Sequence, residues 1–189
     1  MGWCTVARFA RVGLRFEEIL GLPDSGYAAR FEELRAEIIR RFAHEDGSFG
    51  DGTQTGIAFA ADLGLADEAD LADALAEKIG EQDGILATGI FGTTIAFDLL
   101  HRHGHSDVIE TWLARAFMAN SQYGKAMPLL NHAAAAGNDD AQVILAVALQ
   151  GGNGIAPDRA RAAQLLGSAA AGGHTVAEAG LGLLYQLGQ

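Results

Sequence analysis

The chain has 189 residues, 49% of them hydrophobic and 20% charged, and carries a formal net charge of −11. That length suits one or two domains and lets roughly 70% of the unfolded surface be buried without staples. The acidity argues against phosphate backbones and anionic membranes as partners, and the single cysteine, Cys4, excludes an internal disulfide and fits a cytoplasmic site.

The elements read as helices throughout. The first is expected over Thr5 to Leu20, stopped at Gly21-Leu22-Pro23 because proline cannot continue a helix. Its Arg8, Arg11, Arg15, Glu17 and Glu18 interrupt any apolar run of the kind a signal peptide needs, and no stretch approaches the roughly 20 apolar residues that cross a bilayer. In the second, Tyr27, Phe31, Leu34, Ile38 and Phe42 recur at three- and four-residue steps and predict one apolar stripe, ending before the turn-rich His44-Glu45-Asp46-Gly47-Ser48. The third, Thr53 to Leu63, follows Gly50-Asp51-Gly52 and stops at Gly64. Asp67 is expected to cap the fourth, whose Leu71, Leu75 and Ile79 share a face. The fifth is placed from near Thr93 to Gly104. The sixth is expected to be capped by Ser106 and to present Val108, Trp112, Leu113 and Phe117 on one side. Short connections imply antiparallel neighbours, and no alternating run is long enough for a strand.

From residue 123 the chain repeats itself at a 36-residue offset, which completes a set of ten helices. Lys125 falls on Arg161, Leu129-Leu130 on Leu165-Leu166, Ala133-Ala134-Ala135 on Ala169-Ala170-Ala171, Gly137 on Gly173 and Leu145 on Leu181. Each unit predicts two helices with small residues where they cross and a glycine where the chain turns. The pieces Gly152-Asn153-Gly154-Ile155, Asp158, Ala162 through Gly173, Ala177 and Leu181 resemble the Sel-one-like repeat, a relative of the tetratricopeptide repeat. Leu165-Leu166 stands where that family usually has an aromatic pair. The resemblance covers about residues 119–189 and implies protein-protein scaffolding through a concave helical surface.

A second resemblance lies upstream. Asp46-Gly47-Ser48-Phe49-Gly50, Gly52-Thr53-Gln54-Thr55, Ala60 through Leu65, Leu86 through Thr93 and His103-Gly104-His105-Ser106-Asp107 are similar in order and spacing to the later part of a bacterial α-L-rhamnosidase catalytic domain. That family implies a six-hairpin α/α barrel that removes terminal rhamnose with inversion, using two acidic residues. Ile85 and Ala87 stand where it usually has histidine and threonine. Its acid-bearing segment would fall before residue 1 and its base-bearing segment after residue 118, so about three of six hairpins are expected. The whole is therefore expected to be all-α: stacked antiparallel hairpins, a partial α/α barrel over 1–118 continuing into an α-solenoid over 119–189. An open barrel edge exposes apolar faces, which either the repeats or a second copy in a homodimer would cover.

The candidate site residues follow from these loops. Glu45, Asp46 and Asp51 offer clustered carboxylates for acid/base work, or ordinary turn chemistry before a helix; the loop misses the EF-hand spacing. Thr53, Gln54 and Thr55, with Thr88, Gly89 and Thr93, can meet sugar hydroxyls, or simply cap helices. His101, His103 and His105 with Asp107 are the metal candidates by composition, although their spacing sends them to different helix faces. His44, His132 and His174 are isolated, Cys4 has no neighbouring histidine, and no glycine loop has the phosphate-cradling form. No cofactor is expected.

Two functions fit. One is a noncatalytic helical scaffold that binds a partner protein through its repeats. The other is an α-L-rhamnosidase-like hydrolase or rhamnoside binder acting on plant or bacterial glycans. Neither calls for nucleic acid or membrane.

Overall fold

The computed structural model describes residues 2–44, 49–152 and 155–186. Among them are ten helices and no strand: α1 (Gly2–Leu20), α2 (Tyr27–Phe42), α3 (Gln54–Asp62), α4 (Glu68–Gly80), α5 (Gly89–Arg102), α6 (Ser106–Ala119), α7 (Tyr123–Ala135), α8 (Asp139–Gly151), α9 (Arg159–Ala171) and α10 (Thr175–Gln186). The only pairing of extended backbone among the described residues is an isolated bridge between Ala43 and Phe49. The all-α architecture of helix hairpins joined by short turns is thus the one expected. No helix among the described residues is long and apolar enough to cross a membrane. The chain divides into two compact units, residues 1–78 with 87–99, and residues 79–86 with 100–189.

The first unit is built on α1 and α2. Ala7 and Ala10 of α1 and Leu34 and Ile38 of α2 are buried. The apolar stripe of α2 is buried only at its centre; Tyr27 and Phe42 at its ends are 44% and 37% exposed. The Tyr27 ring lies over Gly13, where a Cβ would come within 2.8 Å of it. Glu17 is buried because its carboxylate accepts the Ser25 amide at 2.8 Å and shapes the turn between the helices. From α2, Arg35 donates from Nε to the Gly64 carbonyl at 2.9 Å, and again from its second nitrogen. Gly64 sits just past the end of α3 at φ 62°, a conformation that favours glycine. Asp67 caps α4 as expected, its carboxylate accepting from the amides of Ala69 and Asp70.

The second unit contains the repeat. Both boundaries of α9 lie 36 residues after those of α7, and α10 starts 36 residues after α8. The turns match as well. Gly137 and Gly173 have φ 96° and 89°, and the following amides of Asn138 and His174 bond back to Ala133 and Ala169 at 3.1 and 3.0 Å. The core holds Leu130 of α7, Leu145 and Leu149 of α8 and Leu166 of α9 among buried alanines. Polar ties cross it. Asn138 caps α8 by accepting the Ala141 amide, accepts from Thr111 of α6 and donates to Asp107. Asp140 receives Arg115 of α6 at 3.1 Å and lies 3.3 Å from His174.

Three boundaries differ from expectation. α1 begins at Gly2 rather than Thr5. α5 begins at Gly89, not near Thr93, and the Thr93 hydroxyl bonds back to the Gly89 carbonyl from inside the helix. Ser106 is the first residue of α6 rather than its cap, and its Oγ lies 3.0 Å from Nδ1 of His101. The most buried face of α6 is Thr111 and Ala114, with Val108, Trp112, Leu113 and Phe117 half-buried around it.

Candidate functional site

Chemistry-bearing residues gather in the first unit, at the start of α3. Asp51 accepts from both the hydroxyl of Thr53, at 2.8 Å, and its amide, at 3.2 Å. Thr53 in turn accepts the Gly56 amide at 3.1 Å and so caps α3. This winding turns Gln54 inward, where it is 2% exposed and its Oε1 accepts the Ala87 amide at 2.7 Å. The next residue, Thr88, is 4% exposed. Its Oγ1 lies 3.2 Å from that of Thr93. The Thr93 proton goes to the Gly89 carbonyl at 2.7 Å, so Thr88 is the donor of the pair and keeps its acceptor lone pairs.

These bonds form one wall of a cleft of about 700 Å³. Thr88, Ala87, Gly89 and Gly92 line that side, Thr55 and Phe59 of α3 the floor, and Thr5, Arg8, Phe9 and Val12 of α1 the opposite side. Gly92 permits the close wall, since a Cβ there would stand 2.7 Å from Cβ of Thr88. The Arg8 guanidinium lies 5.4 Å from the centre of the Phe59 ring. Its Nε is 2.9 Å from Oδ2 of Asp62, and Arg11 reaches the other oxygen of the same carboxylate at 2.6 Å. Arg8 is therefore held at the rim with its terminal nitrogens unspent among the described residues.

The cleft combines apolar and aromatic surface with a few fixed donors and acceptors, the usual make-up of a small-molecule site. Among the described residues that line it there is no carboxylate and no histidine. Asp51 lies outside it, and the two bonds from Thr53 hold its carboxyl below the usual aspartate range, the reverse of what a proton donor needs. Burial pushes the Cys4 thiol up, away from the thiolate form that a nucleophile needs.

The sequence candidates thus separate by position. Thr88 lines the cleft, Thr93 fixes its hydroxyl, Gln54 anchors its wall, and Thr53 and Asp51 set the helix start behind it. Asp46 lies outside the described residues. His101 is exposed at the end of α5, His103 falls in the following turn, and His105 precedes α6. No three histidine, cysteine, aspartate or glutamate side chains gather as a metal would require among the described residues. Arg8, Phe9, Val12 and Phe59 were not singled out by the sequence. Arg8 and Arg11, three apart on α1, were one available signal, but their partner Asp62 is some fifty positions away.

The profile of the bacterial alpha-L-rhamnosidase 6 hairpin glycosidase domain matches residues 6–123. The chain belongs to that family. The matched stretch runs from α1 through α6 and so includes every residue of the cleft except Thr5. Neither the curated proteins nor the solved structures contain a match to this chain.

Proposed function

We propose that this member of the rhamnosidase six-hairpin family is a noncatalytic helical module that holds a rhamnose-type 6-deoxyhexose in the cleft without cleaving it. The observation that carries the reading is the cleft lining: aromatic and aliphatic surface, threonines and one arginine, with no carboxylate among the described residues. Inverting hydrolysis requires an acid and a base about 6.5–9.5 Å apart across the sugar. A 6-deoxyhexose has an apolar methyl group to place against Phe9 and Phe59, and ring hydroxyls for Thr88, Thr55 and Arg8. Residues 119–189 act as Sel-like repeats, a scaffold for a partner protein. What supports this is the 36-residue recurrence of helix boundaries and of the turn bonding.

Titration calorimetry with an aryl α-L-rhamnoside tests the cleft. Saturable binding is expected, weakened roughly fivefold or more in Thr88→Val, which keeps the shape and loses the hydroxyl. No heat of binding with rhamnosides, or equal affinity in Thr88→Val, overturns the assignment. The hydrolytic alternative rests on family membership; it would be favoured by turnover of the same ligand.

A further inference from the structure

The cleft of the first unit carries a charge that a neutral sugar does not answer. Among the described residues that line it, Arg8 is the only charged side chain. Its guanidinium is fixed from two directions. The Phe59 ring centre lies 5.4 Å from its carbon, and Asp62 lies 2.9 Å from its Nε. Asp62 also holds Arg11 at 2.6 Å, so two guanidiniums share one carboxylate and keep a net positive charge. That local sign is opposite to the −11 of the whole chain. Both terminal nitrogens of Arg8 remain over among the described residues, and they present the N–H donors of a planar fork. The side chain is 35% exposed, so solvent and salt screen it less than they would an open surface charge.

Space is left over as well. The cleft's volume of about 700 Å³ is more than one six-carbon ring fills, and it lies in the range that encloses larger ligands. The Thr88 wall and Arg8 stand on opposite sides, so a ring held at the threonines leaves room near Arg8 for an attached group. Resting on the sugar-binding reading above, we propose that the ligand carries an oxyanion, a carboxylate or a phosphate, in the group joined to the deoxyhexose, and that Arg8 selects it. A guanidinium meets either oxyanion through two parallel N–H···O bonds, which a ring hydroxyl does not offer. No carboxylate among the described lining residues opposes such a ligand, and the nearby Asp62 is already taken up by Arg8 and Arg11.

Titration calorimetry of the full chain with three ligands tests this: para-carboxyphenyl α-L-rhamnoside, its neutral para-carboxamide, and α-L-rhamnose 1-phosphate. At low salt the acid is expected to bind roughly fivefold tighter or more than the amide, as a charged hydrogen-bonded pair does. The gap should narrow as ionic strength rises. It should vanish in Arg8→Gln with helical circular dichroism retained, through weaker binding of the acid rather than of the amide. A sugar phosphate that outbinds the acid, by a margin Arg8→Gln removes, identifies the oxyanion as phosphate. Equal Kd for all three ligands in the wild type overturns the inference and leaves the sugar site standing. A preference for the anionic ligands that survives in Arg8→Gln also overturns it. Absence of binding by all three overturns this inference and the sugar-binding reading together.

Discussion

Pro128 sits five residues into α7, at an exposed position, and its equivalent in the second repeat is Gln164 of α9. A proline there has no N–H for the Gly124 carbonyl, and its ring crowds the preceding turn. Proline is about 3 kcal/mol worse than alanine inside a helix, whereas glutamine is only a few tenths worse. Replacing Pro128 by glutamine should therefore recover up to about 2.5 kcal/mol, less whatever relaxation and water at the exposed carbonyl already supply. For a chain of this size each kcal/mol moves Tm by roughly 2–4 °C, so Pro128→Gln is expected to melt about 5–10 °C higher by circular dichroism if α7 unfolds with the cooperative unit. Gln164→Pro should lower Tm by a similar amount, because the two positions are equivalent. A fall in Tm for Pro128→Gln, or opposite responses that differ several-fold in size, would refute the equivalence of the two helix pairs.

Four further outcomes are expected. Leu145→Ala removes a fully buried side chain from the core of the second unit and should cost about 2–5 kcal/mol in urea unfolding. Asp51 has its pKa lowered by Thr53 in the folded chain, so its contribution is present above the ordinary aspartate pKa and is lost as pH falls through the folded value. The Tm gap between wild type and Asp51→Ala should accordingly be widest near neutrality and close below about pH 4. Asp139 has the opposite sign: burial raises its pKa, so ionisation weakens the fold as pH rises. Asp139→Asn should then be the more stable protein at neutral pH, with the advantage disappearing in acid in the same melting series. Gly92→Ala must push Thr88 aside, since the added Cβ would lie 2.7 Å from the threonine Cβ; calorimetry should show weakened rhamnoside binding.

Regular features were legible because they are local. The three- and four-residue apolar spacing marked α2, Thr53 and Asp67 were recognisable caps, and the 36-residue offset anticipated matched turns at Gly137 and Gly173. The start of α5 was obscured by Gly89 and Gly92, which resemble loop residues although Gly89 opens the helix, at φ 67°, and Gly92 lies within it. Ser106 looked like a cap by residue type, but its hydroxyl meets His101 across the turn instead. The cleft was only half readable. Its threonine wall lies in contiguous motifs, whereas the α1 side depends on Arg8 and Arg11 meeting Asp62, a pairing that local spacing does not encode. The exposure of Phe9, Phe16 and Ile19 on α1 was hidden for a related reason: a helix with apolar residues on two faces reads as one helix whichever face the fold covers.

The measurement that bears most directly on the proposal that the cleft binds a rhamnoside without cleaving it is a proton NMR time course of the chain with an aryl α-L-rhamnoside. Ligand signals that broaden or shift on addition of protein, with sugar release no faster than in buffer, are the expected result. Enzyme-dependent appearance of free rhamnose, initially in the inverted anomeric form, would contradict the account.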